Sequence, residues 1–304
     1  MEIRKFIIKS AVFVLINTGL IWFSLGILHG YENRYLYANW DTESDGLIIP
    51  QNKSFDLLFM GSSHSRIFAR DKNQLRVDSI LHKSTIDIGK GGGGGGIVSN
   101  LIMLKYFYAR GNNTGNIVYF IDAWPFFSRK WNEDNYFLSN EPISFKLLKQ
   151  CLYYHISRDV LLNYFKSKYT LDWLEQKPES REINNDVLKD VSKEAIQKRL
   201  ASLYIEAYDE KVFKHYAAQL EEVVQLAKLH HSTITFIFPA TLLDDNRGKE
   251  KVTQLLSGFK SKYGIDFYDY SNTILDPKLY YDHDHLNTKG VLYFTQKYLK
   301  PIVH

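Results

Sequence analysis

The sequence predicts an α/β fold in which a parallel five-stranded sheet is sandwiched by helices, and three observations carry that prediction. Five short apolar runs of strand length recur along the chain, at Asp56–Met60, Thr85–Ile88, Asn116–Asp122, Thr233–Phe238 and Asp266–Tyr270. Stretches with helical patterning separate them, and strands that alternate with helices give a parallel sheet covered on both faces. The first three runs stop at Gly61-Ser62-Ser63, at the glycines from Gly89 and at Asp122, so chemistry-bearing residues gather at strand carboxyl ends, where the ligand crevice of such sheets lies.

A chain of 304 residues holds one large α/β domain with accessories, and 45% hydrophobic with 24% charged residues is ordinary globular usage that buries a sizeable core. The formal charge of +4 is mild, and Lys and Arg are scattered among nearly as many acids, so no basic stripe for nucleic acid is implied. Cys151 is the single cysteine, which excludes an intramolecular disulfide and a multi-cysteine zinc site. Its neighbours place it as a buried thiol in a helix.

The chain opens on an apolar segment. Phe6–His29 reads FIIKSAVFVLINTGLIWFSLGILH, and Ser10–Leu28 carries no charge, enough to cross a bilayer as a helix. Arg4, Lys5 and Lys9 lie on its N-terminal side. The positive-inside tendency then leaves a short N-terminus in the cytoplasm and sends residues from about Tyr31 onward across the membrane. A cleaved signal peptide is the rival reading, but it requires a shorter apolar stretch and a small-x-small cleavage site, and Gly26-Ile27-Leu28-His29-Gly30 offers a poor one. Residues 1–30 therefore read as an N-terminal transmembrane helix that anchors the chain. Residues 31–54 read as a polar connector, and 55–304 as the folded domain.

Within that domain the first strand, Asp56–Met60, ends at Gly61 and is followed by a helix over Ser65–Leu81. The second strand, Thr85–Ile88, leads into the glycine run and a helix over Ile97–Arg110. Asn116–Asp122 (NIVYFID) is the most strand-like run in the chain. After Trp124 the alternation breaks into a helical, polar insertion over 126–207, with the charged stretch Glu175–Arg199 read as an exposed helix face. A helix over Asp209–His230, the fourth strand, a helix over Lys249–Tyr263, the fifth strand and a last helix over Asn287–Leu299 complete the pattern.

Four features can meet in one crevice: Ser63, the glycines, Asp122 with Trp124, and Asp282-His283-Asp284-His285 directly before the last helix. A serine hydroxyl becomes a good nucleophile when a base takes its proton and a carboxylate orients that base, which is the work of Ser63, His285 and Asp282 together. Each piece also has a plainer reading. Gly-Ser-Ser can be a strand-to-helix turn with Ser caps, and the Asp/His cluster can be a solvated turn or a metal site. The glycine run can be a linker, or a phosphate cradle, although no Lys-Ser or Lys-Thr pair follows it.

The segment DLLFMGSSHSR resembles the first block of the SGNH (GDSL-like) hydrolase superfamily, and YYDHDHLNTKG resembles its final block, Asp-x-x-His followed by Leu and Gly before a helix. The likeness runs from about Phe55 to Leu299, outside the insertion. It implies a three-layer, flavodoxin-like fold, with Ser63 as nucleophile, Asp282 as triad acid and His285 as base. It further implies an oxyanion hole formed by the Ser63 N–H and a glycine N–H, Gly91 or Gly92. The Gly-Ser-Ser form with an N-terminal anchor is similar to the acyl-transfer group that includes the D-alanine-transfer protein of teichoic-acid modification and alginate acetylation proteins.

That likeness implies a serine-dependent esterase or O-acyltransferase that uses neither cofactor nor metal. Its substrate would be the acyl esters of a cell-surface glycan or lipid-linked polymer, handled beside a multispanning membrane O-acyltransferase. The protein would sit single-pass in the bacterial cytoplasmic membrane, with its C-terminal domain in the periplasm. His64, Arg66, Asp122 and Trp124 are the candidate substrate-binding residues. The sequence also departs from the pattern: where the third block often supplies an Asn to the oxyanion hole, it reads Asp122-Ala123-Trp124-Pro125. This keeps open a second reading, an accessory protein of the same fold that binds glycan or a membrane partner without catalysis.

Overall fold

The computed structural model describes residues 2–38, 47–91, 95–132, 137–169, 186–243 and 247–303, with the backbone alone over 29–38. Five strands, β1 (Ser54–Gly61), β2 (Thr85–Asp87), β3 (Asn113–Phe120), β4 (Thr233–Phe238) and β5 (Asp266–Asp269), form a single sheet in the order β2-β1-β3-β4-β5. Every pairing is parallel, with Leu58 beside Ile86 on one side and Ile117 on the other. The sheet is the one expected from the alternating pattern.

Side chains alternate across each strand, and this divides the core in two. Leu58 and Met60 of β1, Ile117 and Tyr119 of β3, and Phe236 of β4 point to one face. There they meet α4 (Ile97–Ala109), α8 (Glu210–Leu229) and α9 (Lys249–Tyr263). Leu57, Phe59, Val118, Phe120 and Ile237 point to the other face, covered by α3 (Asn73–Leu81) and α10 (Thr288–Phe294). Each such Leu, Ile or Phe side chain contributes about 1.5–3 kcal/mol relative to exposure. The helix α4 is apolar nearly all round because α5 (Phe145–Tyr153) and α8 cover the side that the sheet does not.

The helix expected over Ser65–Leu81 is broken. A single turn, α2 (Ser63–Arg66), is followed by a short 3-10 turn at Arg70–Lys72 before α3 begins, and Asp71 and Lys72 take left-handed backbone angles, φ 55° and 62°. The Asn73 side chain donates to the Ile67 carbonyl at 2.8 Å and ties the two pieces together. No glycine marks the break, so the sequence pattern runs through it.

In the insertion, α5, α6 (Arg158–Lys166) and α7 (Lys193–Leu203) precede α8. Cys151 is buried in α5, and burial pushes its thiol up to about 12. Of the stretch 175–199 expected to be an exposed helix face, 175–185 lies outside the described residues.

The first helix, α1, runs Glu2–Ala38, and its portion Glu2–Leu28 is long and apolar enough to span a membrane, with mean hydropathy 2.1. That portion is not buried against the rest of the chain, yet it touches it near Trp22, whose ring stacks on Tyr169 with centroids 4.3 Å apart.

Candidate active site

The direction of the connections reverses at β1: the chain runs outward to β2, then crosses back to β3 on the other side. Crevices of parallel sheets open at that switch point, beyond the strand carboxyl ends. Gly61 ends β1 there. Its φ of 137° and the closeness of the Phe120 carbonyl leave no room for a Cβ, so only glycine lets the turn after it fold this tightly against β3. Ser62 then caps α2, its Oγ accepting from the His64 N–H at 3.3 Å, and Ser63 is the first residue of the helical turn.

The structure brings Ser63, His285 and Asp282 into one line of hydrogen bonds. His285 Nε2 lies 2.6 Å from Ser63 Oγ, and His285 Nδ1 lies 2.8 Å from Asp282 Oδ2. The Asp-x-x-His spacing explains the second contact. Asp282 Oδ1 accepts the backbone N–H groups of Asp284 and His285, at 3.0 and 2.8 Å, so the turn itself holds the carboxylate beneath the imidazole. Burial opposes charge on Asp282, but the His285 contact and these N–H donors outweigh it and hold the carboxyl well below its usual range. The His285 ring also stacks on Tyr281, at 5.4 Å and nearly parallel.

A second constellation flanks the first. Ser62 Oγ donates to Asp122 Oδ2 at 2.5 Å, and His64 Nδ1 lies 3.0 Å from the same oxygen. The other nitrogen of that ring, Nε2, donates to the Asp284 carbonyl at 2.7 Å. Both ring nitrogens thus face oxygens that accept, which is the arrangement of an imidazolium. Burial works against that charge, yet the Asp122 carboxylate first and Asp284 second raise His64 to about 9. Asp284 has its own partner: Arg199 of α7 grips its carboxylate through Nε and Nη2, both at 2.8 Å. The described part of the 175–199 stretch therefore ends on a residue that faces the site rather than solvent.

The glycines pack directly on the turn that carries Ser63. Gly91 lies against the Arg66 guanidinium, and Gly95 lies against the Ser62 backbone, each too close to admit a Cβ. Gly92 lies outside the described residues. Trp124 begins a 3-10 turn after β3 and, with Leu200, Leu203, Tyr204, Phe238 and Leu243, lines a largely apolar cavity that reaches His64 and Asp122 at one end. Of the candidate residues, Ser63, His64, Asp122, Trp124, Asp282 and His285 therefore gather at one place. Ser62, Asp284, Arg199 and Gly95 are contacts that the sequence pattern missed. Ser62 could have been found from the Gly-Ser-Ser turn itself, whereas Arg199 sits in a helix whose charges give no signal.

His64, Asp284 and His285 bring ligand atoms close enough together for a metal ion. Their donors are already committed, however: the ring nitrogens to Asp122, the Asp284 carbonyl, Asp282 and Ser63, and the Asp284 carboxylate to Arg199. A metal would have to break those contacts, so the residues present do not make a ready site.

No known family profile matches the chain, and no curated protein matches it in sequence. Among solved structures, a crystal structure described as a "putative acylhydrolase" from Bacteroides fragilis NCTC 9343 aligns with 84% of this chain and 92% of its own, at 12% identity and a TM-score of 0.42. A likeness at that level carries no argument about activity, which is read instead from the geometry of Ser63, His285 and Asp282.

Proposed function

We propose that the protein is a serine-dependent esterase or O-acyltransferase of the SGNH type, and the observation that carries this reading is the 2.6 Å approach of His285 Nε2 to Ser63 Oγ with Asp282 behind the same ring. In the tautomer that serves the reaction, Nδ1 carries a proton toward Asp282 and Nε2 accepts the Ser63 proton as Oγ attacks an acyl carbonyl. The C–O bond to the leaving alcohol then breaks, and His285 returns the proton to that alcohol. Water or a second hydroxyl, deprotonated by the same nitrogen, takes the acyl group from Ser63.

The developing oxyanion needs fixed donors, and losing one costs about 3–4 kcal/mol. The Ser63 and Gly91 N–H groups, or that of Gly92, are the proposed donors. Asp122 stands where the superfamily often has an Asn, and a carboxylate can only accept. It serves His64 and Ser62 instead. This one observation also favours the second reading, an accessory protein that keeps the fold without turnover.

A largely apolar cavity that opens at His64 and Asp122, roofed by α7 and edged by Trp124 and Tyr204, suits a short acyl chain or a sugar ring. The apolar portion Glu2–Leu28, with Arg4, Lys5 and Lys9 before its uncharged stretch, favours an extracytoplasmic domain anchored to the cytoplasmic membrane. Acyl esters of a cell-surface glycan or lipid-linked polymer, passed on by a multispanning O-acyltransferase, fit both.

The test is labelling of the full chain in detergent with a fluorescent fluorophosphonate, beside Ser63→Ala and His285→Ala. Labelling of the parent that disappears in both variants is expected. A folded parent that never reacts would sink the enzyme reading in favour of the accessory one.

A further inference from the structure

The insertion helices α5 and α6 each bury one face, through Leu147 and Cys151 and through Val160 and Tyr164. Their opposite faces mix exposed apolar side chains with mostly basic ones. Phe145 is 88% exposed, Leu152 64%, Tyr153 68% and Leu162 51%, where an ordinary solvated helix would carry polar residues. Phe145, Lys149, Leu152 and Tyr153 recur at helical spacing, so they share one stripe of α5. Lys149, Arg158 and Lys166 stand exposed among these apolar groups, and Asp159 is the one acid of the two helices.

This face is continuous with the membrane-spanning candidate. Trp22 of α1 stacks on Tyr169 at 4.3 Å and on Phe165 at 6.4 Å, both at the end of α6. Gly26 lies beside Ile143, just ahead of α5, and beside Tyr169: a Cβ there would stand 3.3 Å from the Ile143 Cδ1 and 3.4 Å from the Tyr169 hydroxyl. The start of α5 and the end of α6 are therefore fastened to α1 at the same level. The uncharged stretch Ser10–Leu28 rises about 27 Å, close to the roughly 30 Å of a hydrocarbon core. Trp22 and Gly26 lie about 9 Å and about 3 Å short of its far end, so Tyr169 and Ile143 sit close to the far membrane–water boundary, where aromatic side chains collect.

We propose that the exposed face of α5 and α6 rests on the outer surface of the bilayer that α1 crosses, a proposal that depends on α1 being the membrane anchor. Phe145, Leu152, Tyr153 and Leu162 enter the boundary between headgroups and acyl chains, and Lys149, Arg158 and Lys166 meet anionic headgroups. Anchor and surface together then fix the attitude of the domain on the membrane.

The test uses the full chain in nanodiscs with an environment-sensitive fluorophore on single introduced cysteines, and nitroxide-bearing lipids as quenchers. The native Cys151 is buried and stays unlabelled. Phe145→Cys, Leu152→Cys and Leu162→Cys report on the proposed face, Phe13→Cys on the anchor, and Leu75→Cys and Leu275→Cys on exposed apolar positions packed at the opposite side of the sheet. Quenching of about twofold or more is expected at 13, 145, 152 and 162, stronger with anionic lipid, and none at 75 or 275. Quenching at 13 without quenching at 145, 152 and 162 overturns the proposal while leaving the anchor in place. It would assign the face to a protein partner or a second copy. Absence of quenching at 13 removes the anchor and this proposal together, and leaves the Ser63 labelling result untouched.

Discussion

The rings of His64 and His285 lie against each other with centroids 4.9 Å apart, one held by Asp122 and the other by Asp282. Two histidine–carboxylate pairs therefore stand side by side, and only one of them faces Ser63. Because His64 is almost wholly buried, its charge depends on Asp122 and Asp284, and through Asp284 on Arg199.

That arrangement makes stability fall in alkali. His64 is raised in the folded protein, so its contribution is complete below its ordinary value of 6.5 and is lost as pH climbs through about 9. The difference corresponds to about 3 kcal/mol, or roughly 6–12 °C in a domain of this size. Thermal melts of the parent should drop between pH 7 and pH 10, and those of His64→Gln should start lower and change less. Parallel curves would show that His64 is not held as a cation.

Asp282→Asn is expected to fold and to keep Ser63 in place, while the rate of fluorophosphonate labelling falls by roughly 10²–10⁴ because the amide orients the wrong tautomer of His285. Time courses of labelling at pH 7 measure this directly. A change of less than about threefold would mean that another acid, such as Asp284 at 3.5 Å from Nδ1, does the orienting.

Arg199→Ala leaves the Asp284 carboxylate buried without its bidentate partner. Loss of a fully buried pair costs about 3–5 kcal/mol, but a third of the Arg199 side chain stays in water, so about 2–3 kcal/mol is expected. Denaturant unfolding gives the value, and Arg199→Lys should recover only part of it, since an ammonium cannot make two parallel bonds. A neutral Arg199→Ala would place the ion pair among those that contribute nothing.

Gly95→Ala puts a methyl group against the Ser62 backbone, which has little room to yield. Overpacking of this kind costs about 1–3 kcal/mol, and the displaced turn carries Ser63 with it. Labelling should fall even at temperatures where circular dichroism reports a folded chain. Full labelling in a folded variant would show that the glycine loop moves aside freely.

The sheet was legible because its signal is local. Each strand is a short run of three to eight residues that is mostly apolar or alternating, and Asp282 and His285 announce themselves three residues apart. The break at Asp71 and Lys72 was not legible, since left-handed backbone usually falls on glycine and here falls on charged residues. Contacts across long stretches of chain were equally hidden. Arg199 meets Asp284 from 85 residues away, and nothing in KEAIQKRLASL distinguishes that arginine from its lysine neighbours. Asp122 read as a departure from a familiar pattern, and only its neighbours reveal that it serves a different pair of side chains.

The clamp between Arg199 and Asp284 also bears on how such a protein could change over generations. The helix that roofs the cavity is bolted to the loop that carries His285, so under the proposed function a region that shapes specificity and one that performs the chemistry would not drift independently. An insertion exchanged for one lacking an arginine at this place would leave Asp284 without its partner, and a chimera of that kind would need both ends of the clamp exchanged at once.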